Sequence, residues 1–269
     1  VIVSKFQFSS NSLIKIAEKM TMALRNELRE TGDMLFKNRS YLPVFIILIG
    51  ILVFYYAHQE ANPLLVSLTY DILCISIASV GLIIRAISVG FSADNTSGRN
   101  TGAGQIANEI NTTGLYSCCR HPLYLGNFFM WLGVAMFTAN LWFLVAFALF
   151  FWVYYERIMY AEEAYLIEKY GAAYEEWASN VPAFIPAFTK WKSPKYHFSI
   201  KKVVRQEKST FLNLCIMIFL FKVLHMYMSK DTAVNFDHYW TWILAFGITW
   251  YVIVKLIQKN TTLLSQDRV

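Results

Sequence analysis

The sequence predicts an all-α fold. It is a polytopic membrane helix bundle of about six spans, with a helical hairpin, an amphipathic N-terminal helix and both termini cytoplasmic. Three observations predict it. Of 269 residues, 56% are hydrophobic and only 16% charged, whereas a soluble domain is about a quarter charged. Several apolar runs approach the roughly 20 residues that cross a bilayer. Lys and Arg fall on alternate connections, as the positive-inside rule requires. A mean hydropathy of +0.39 and 17% aromatic residues favour this over a soluble protein with a large core.

In residues 11–30, Leu13, Ile16, Ala17, Met20, Leu24 and Leu28 recur at spacings of three and four, with Lys15, Lys19, Arg25 and Arg29 between them. That periodicity predicts an amphipathic helix lying on the membrane surface before the first span; a soluble packing helix is the alternative. No cleavable signal peptide is expected, because the leading apolar stretch is short and interrupted by Ser and Lys. The expected spans are Tyr41–Ala57, Pro63–Gly90, Phe211–Met228 and Tyr239–Ile257, with Leu123–Thr138 and Leu141–Tyr155 as two shorter arms joined by a tight turn. Arg85, near the end of the second run, is expected to snorkel to the interface; a substrate or structural contact is the alternative.

The basic residues test this layout. Lys5, Lys15, Lys19, Arg25, Arg29, Lys37 and Arg39 precede the first span. Arg99 and Arg120 lie in 91–122, and nine more Lys or Arg in 156–210. Linkers 58–62 and 138–140 have none, and 229–238 has only Lys230. All the basic segments then face one side, which brings the residues before the hairpin and those after it to the same face. The net charge of +6 reads as this bias, not as nucleic-acid binding. Of the segment 190–208, with seven Lys/Arg, two readings stand: a solvated flank, or a surface gathering anionic lipid headgroups.

Chemistry concentrates at the hairpin's open end. "GLYSCCRHPLYLGN" (114–127) enters the first arm; "EEAYLIEKYGAAYEEWASNVPAFIP" (162–186) leaves the second. The hairpin should join Tyr116, Arg120, His121 and Tyr124 to Glu156, Arg157, Glu162 and Glu163 in one pocket. No metal is expected. Adjacent Cys118 and Cys119, one residue from His121, do not give zinc-ligand spacing, and no second Cys/His pair lies near. Cys119 beside Arg120 lacks an orienting partner for a nucleophile, so both cysteines are expected to be small residues behind the turn. Cys74 and Cys215 sit in apolar runs, and no disulfide framework is present.

The pattern resembles the isoprenylcysteine carboxyl methyltransferase and phospholipid methyltransferase superfamily of integral membrane enzymes. The matching elements are Gly114-x-Tyr116, Arg120-His121-Pro122-x-Tyr124-x-Gly126, Glu162-Glu163, Tyr170-Gly171-x-x-Tyr174, and Val181-Pro182 followed by Ile185-Pro186. They lie within 105–188. With hydropathy setting the flanks, the chain divides into an interfacial segment (1–40), two spans (41–104), a methyltransferase core that carries the resemblance (105–188) and a basic loop with the last two spans (189–269). It implies S-adenosylmethionine (SAM) as methyl donor, in a cytosol-facing pocket. Carried over by position, Tyr116, Arg120, His121, Pro122, Leu123, Tyr124 and Glu162 contact the cofactor, with Asn108, Glu109, Ile110 and Asn111 lining it. Arg157 stands, displaced by one residue, where relatives keep a substrate-facing arginine. Met159-Tyr160-Ala161 replaces the glutamate run usual in prenylcysteine enzymes.

Physical chemistry fits that implication. Arg120 or His121 suits the donor's carboxylate, Glu162 or Glu163 its ammonium, and tyrosines its sulfonium and adenine. An anionic acceptor needs no general base, whereas an amine acceptor would. His121 and Glu163, the candidates for a base, already have cofactor roles, which favours a carboxylate or phosphate. The expected function is methylation of a lipid headgroup or lipid-modified acceptor at the cytosolic membrane face. Arg157 and Glu163 are the catalytic candidates, and membrane lipid and bilayer the partners. A prenylcysteine carboxyl methyltransferase is the nearest alternative; an NADPH-dependent sterol-type reductase and a non-catalytic membrane protein are alternatives of other classes.

Overall fold

A computed structural model describes residues 23–39, 42–94, 96, 100–101, 104–105, 108–229 and 238–264. Nearly all of it is helix. The helices are α1 (23–37), α2 (Leu42–Gln59), α3 (Leu68–Phe91), the one-turn α4 (Leu115–Cys118), α5 (Pro122–Met136), α6 (Leu141–Tyr170), α7 (Ala172–Asn180), α8 (Ile200–Met228) and α9 (Tyr239–Asn260). The exceptions to helix include a two-residue antiparallel ladder, Asn100–Thr101 with Gly104–Gln105, inside the expected polar loop. The first part of the expected amphipathic helix, Leu13 to Met20, lies outside the described residues; its continuation is helical in α1.

Among the described residues, four helices are long and apolar enough to cross a membrane: α3, α6, α8 and α9. α2 and α5 are apolar but shorter. At 15 residues, α5 measures about 22 Å, less than a hydrocarbon core of about 30 Å. Two helices also outrun their apolar sequences. α6 continues past Tyr155 to Tyr170, and α8 starts at Ile200, eleven residues before its apolar run, so each carries a charged helical extension beyond its apolar part. Leu149, Phe150, Trp152 and Val153 on α6 are exposed; bilayer lipid is the solvent that suits them.

The tightest packing is α3 against α5. A Cβ on Gly81 would lie 2.4 Å from the Gly126 carbonyl oxygen, and one on Gly126 2.5 Å from Arg85 Cγ. Only glycine allows this approach, which is the small-residue packing of membrane helices; it explains Gly126 of the hairpin motif. At the hairpin's closed end Ala139 has φ 50°, and Asn140 caps α6 by accepting from Phe143 N at 2.9 Å. At that same end of the bundle Asp71 of α3 meets Lys222 of α8 at 2.5 Å and accepts from the hydroxyl of Tyr239 of α9 at 2.7 Å.

Candidate active site

The site forms at the hairpin's open end. Gly114, at φ 63°, starts α4; Cys119 is extended and the chain bends at Arg120 before entering α5, whose first residue is Pro122, where no N–H is needed. The loop after α7 pairs with this turn. Arg120 N donates to Pro182 O at 2.9 Å, His121 N to Ala183 O at 3.1 Å, and Ala187 N to Cys118 O at 2.9 Å. Cys118 and Cys119 are buried behind the turn, and burial pushes the Cys119 thiol up to about 12. Among the described residues no group of three or more His, Cys, Asp or Glu gathers as a metal site would require.

The other wall is α6. Tyr124 donates to Glu162 Oε2 at 2.7 Å. His121 faces both carboxylates, Nε2 lying 2.8 Å from Glu163 Oε1 and Nδ1 3.6 Å from Glu162 Oε2. Burial opposes the imidazolium, but the two carboxylates outweigh it and raise His121 from 6.5 to about 8. Arg120 donates to Glu163 at 2.8 Å and to the carbonyls of Ala178 and Val181 at 2.6 and 2.8 Å. One guanidinium thereby ties the turn, α6 and the end of α7 together.

Above these groups lies a cavity lined by Tyr116, Arg120, His121, Pro122, Leu123, Tyr124 and Glu162, with Glu109, Ile110 and Asn111 on its rim. Asn108 is exposed and outside the lining. Asn111 is held by Ala93 N at 2.9 Å and by Thr96 at 2.8 Å. Glu163 is not among the lining residues; it lies behind the wall, joined to Arg120 and His121. Arg157 is not brought to the cavity: its guanidinium folds back on the carbonyl of Val153 at 3.1 Å, and α1 packs Gly32 against its own carbonyl. Phe36, Thr96, Tyr165, Leu166, Tyr174 and Trp177 also line the cavity, and the sequence reading did not assign them to it. Two of these have bearing on a ligand. Tyr174 Oη and Trp177 Nε1 are buried with no hydrogen-bond partner among the described residues. Buried donors are nearly always paired, so these two fit a ligand carrying acceptor atoms. Burial raises the Tyr174 phenol, which keeps its O–H a donor. A zwitterionic donor such as SAM fits this set: acceptor-seeking O–H and N–H, a carboxylate at Glu162, and aromatic faces.

A second cavity shares the Leu123–Tyr124 wall and holds Arg39, Arg85, Arg205 and Lys208 against the single carboxylate of Glu207. Arg85 donates to both Glu207 oxygens at 2.7 and 2.8 Å and to Asn127 at 2.6 Å. A third cavity shares Arg39, Arg85, Asn127 and Tyr155 and continues along Met130, Trp131, Val134, Leu214 and Met217. Arg85 is therefore engaged across α3, α5 and α8, which is the structural contact named above as the alternative to snorkelling.

Known proteins resemble this chain over the region that carries the motif. Residues 73–173 match the family model described as phospholipid methyltransferase. The protein-S-isoprenylcysteine O-methyltransferase of Schizosaccharomyces pombe is 40% identical over 76 residues, which is 28% of this chain and 32% of that protein. That of Saccharomyces cerevisiae is 39% identical over 74 residues, 28% of this chain and 31% of that protein. The cobalt-zinc-cadmium resistance protein CzcN of Cupriavidus metallidurans is 29% identical over 167 residues, 61% of this chain and 70% of that protein. No solved structure matches. The chain thus spans about a third of the length of the isoprenylcysteine methyltransferases cited. Over the matched region, the resemblance to the isoprenylcysteine carboxyl methyltransferase and phospholipid methyltransferase superfamily is shown.

Proposed function

We propose that this chain is an integral membrane SAM-dependent methyltransferase acting on a lipid or lipid-modified acceptor at the cytosolic face. In this reading all six apolar helices cross or enter the bilayer and both termini are cytosolic, in keeping with the distribution of Lys and Arg. The observation that carries the reading is the matched motif's own geometry: a cavity with the Glu162 carboxylate on one side and the unpaired donors Tyr174 and Trp177 on the other.

The cofactor would supply an electrophilic methyl on a sulfonium. Glu162, oriented by Tyr124, would hold its ammonium, and Tyr174 and Trp177 would donate to its acceptor atoms. Tyr116 and Tyr124 would offer π faces to the cation. Arg120 and Glu163 would act as positioning residues, holding the turn against α6. The acceptor's tail would lie along Met130, Val134, Leu214 and Met217, and its head beneath Tyr124. Arg85 and Arg39 take the substrate-facing part that the resemblance gave to Arg157. An acceptor anion in so cationic a cavity is already nucleophilic, so the chain would work by alignment and exclusion of water. A phosphate or phospholipid headgroup suits that charge. A prenylcysteine carboxylate is the second reading, favoured by the names of the relatives in Schizosaccharomyces pombe and Saccharomyces cerevisiae.

The test is incubation of purified protein with methyl-labelled SAM and either total membrane lipid or a farnesylcysteine analogue. Label in a lipid species supports the first reading and label in the analogue the second. Label in neither, under conditions where a known methyltransferase of either kind turns over, contradicts both.

A further inference from the structure

The loop that grips the site is itself a surface of unusual composition. From Trp177 to Gln206 there is no Asp or Glu, while Lys190, Lys192, Lys195, Lys201, Lys202 and Arg205 lie in the same stretch. Ile185 is 75% exposed, Phe188 68% and Trp191 49%. Phe188–Lys190 is a 3-10 turn with Trp191 as its C-cap. Residues three apart eclipse in such a turn, so Phe188 and Trp191 share a face. Lys190 and Lys192 flank it and are exposed. Exposed aromatics interleaved with lysine are the composition of a membrane interface, not of a solvated loop.

A ring contact sets the loop's level. Phe184 lies 5.7 Å from Trp152 and 6.2 Å from Phe128, ring centre to ring centre. Trp152 is exposed on the apolar part of α6, so it faces lipid. The loop therefore starts beside a lipid-facing span residue and ends at Ser199, whose N–H donates to Gly90 O near the end of α3 at 3.0 Å. Pro182 and Ala183 just before it, and Ala187 within it, make the backbone bonds that hold the R-H-P turn. A force on this loop is a force on one wall of the cavity.

We propose that residues 184–192 dock on the leaflet at the site's end of the bundle, through Ile185, Phe188 and Trp191 in the interface and Lys190 and Lys192 on anionic headgroups. Docking braces the wall of the cofactor cavity. The occupant is anionic lipid, because the stretch has lysines and no carboxylate to offer any other charge. The bracing part rests on the proposed cofactor; the docking part does not.

Docking is read by fluorescence. The four native cysteines are buried, so a thiol-reactive fluorophore reports on a single introduced cysteine at Ile185→Cys or Phe188→Cys, with Glu175→Cys on α7 as reference. The protein is placed in vesicles of phosphatidylcholine, or of phosphatidylcholine with phosphatidylglycerol, each carrying a headgroup nitroxide lipid. The expected result is quenching at 185 and 188 severalfold above that at 175, increased further by phosphatidylglycerol. Quenching no greater than at 175, or unchanged by phosphatidylglycerol, overturns the proposal. The affinity for S-adenosylhomocysteine should rise with phosphatidylglycerol, and the rise should vanish in the Lys190→Gln/Lys192→Gln variant. Lipid-dependent quenching with an affinity indifferent to lipid overturns the bracing. Quenching with no binding in any bilayer leaves docking supported and overturns the proposed function instead.

Discussion

Two buried ionic clusters stand at opposite ends of α3, and they are built for different work. At the closed end Asp71, Lys222 and Tyr239 bind one another across α3, α8 and α9. At the open end Arg120, His121, Tyr124, Glu162 and Glu163 bind across the turn, α5 and α6. The first cluster satisfies itself between packed helices. The second is satisfied on its inner side, by Glu163, and presents Glu162 to a cavity where Tyr174 and Trp177 lack partners. A buried charge is thus no sign of a site in itself; what distinguishes the open end is a charged wall facing a cavity that two buried donors also face.

The largest effect expected is at the closed end. Lys222→Met leaves Asp71 buried without its cation and should cost about 3–5 kcal/mol of stability. Thermal unfolding in detergent reads this, and the folded fraction should still bind S-adenosylhomocysteine normally. At the open end the pattern inverts. Glu162→Gln keeps the shape but removes the charge, and should weaken that binding about 10- to 100-fold while costing less stability than Lys222→Met, at most the part of the His121 pairing that Glu162 supplies. Equal losses of stability at both ends would erase the distinction.

Titration sharpens it next. His121 is raised to about 8 in the folded protein. Its contribution is therefore complete below its ordinary value of about 6.5 and disappears as pH rises through about 8. The shift corresponds to about 2 kcal/mol. Unfolding temperature followed against pH should fall across that window, and His121→Asn should flatten the fall. Smaller still, Tyr174→Phe should cost about 1 kcal/mol of cofactor affinity without lowering the stability of the free protein, since its hydroxyl has no hydrogen-bond partner to lose among the described residues. Calorimetry alongside melting separates the two quantities. Smallest is the cysteine pair. Cys118→Ser/Cys119→Ser should leave binding unchanged, and a thiol reagent should not label either residue in the folded protein.

Much of this was legible in the sequence because the forces involved are local. Apolar runs located α2, α3, α5 and α9, and the far end of α8, within a few residues, and the hairpin alone implied that Arg120–Tyr124 would meet Glu162–Glu163. What escaped is of two kinds. The placement of Arg157 was within reach of helix geometry: it stands five residues before Glu162, about 140° away around the helix, whereas Tyr155 stands seven before, about 20° away. Tyr155, Glu162, Tyr165 and Leu166 thus share a stripe that Arg157 leaves. The lengths of α6 and α8 also escaped, because charged helical extensions carry no apolar run to mark them. Phe36, Thr96 and Trp177 belong to segments whose approach depends on tertiary packing, and no periodicity announces that. The match of residues 73–173 to the phospholipid methyltransferase family reaches Thr96 but neither Phe36 nor Trp177.

The central claim is that the open-end cluster forms the wall of a methyl-donor site, and calorimetry tests it most directly. Purified protein is titrated with S-adenosylhomocysteine, with and without NADPH, beside Glu162→Gln. The account predicts saturable binding that NADPH does not displace and that Glu162→Gln weakens at least tenfold, at the lower end of the range above. Absence of binding to the folded wild-type protein, or binding indifferent to Glu162, would contradict it.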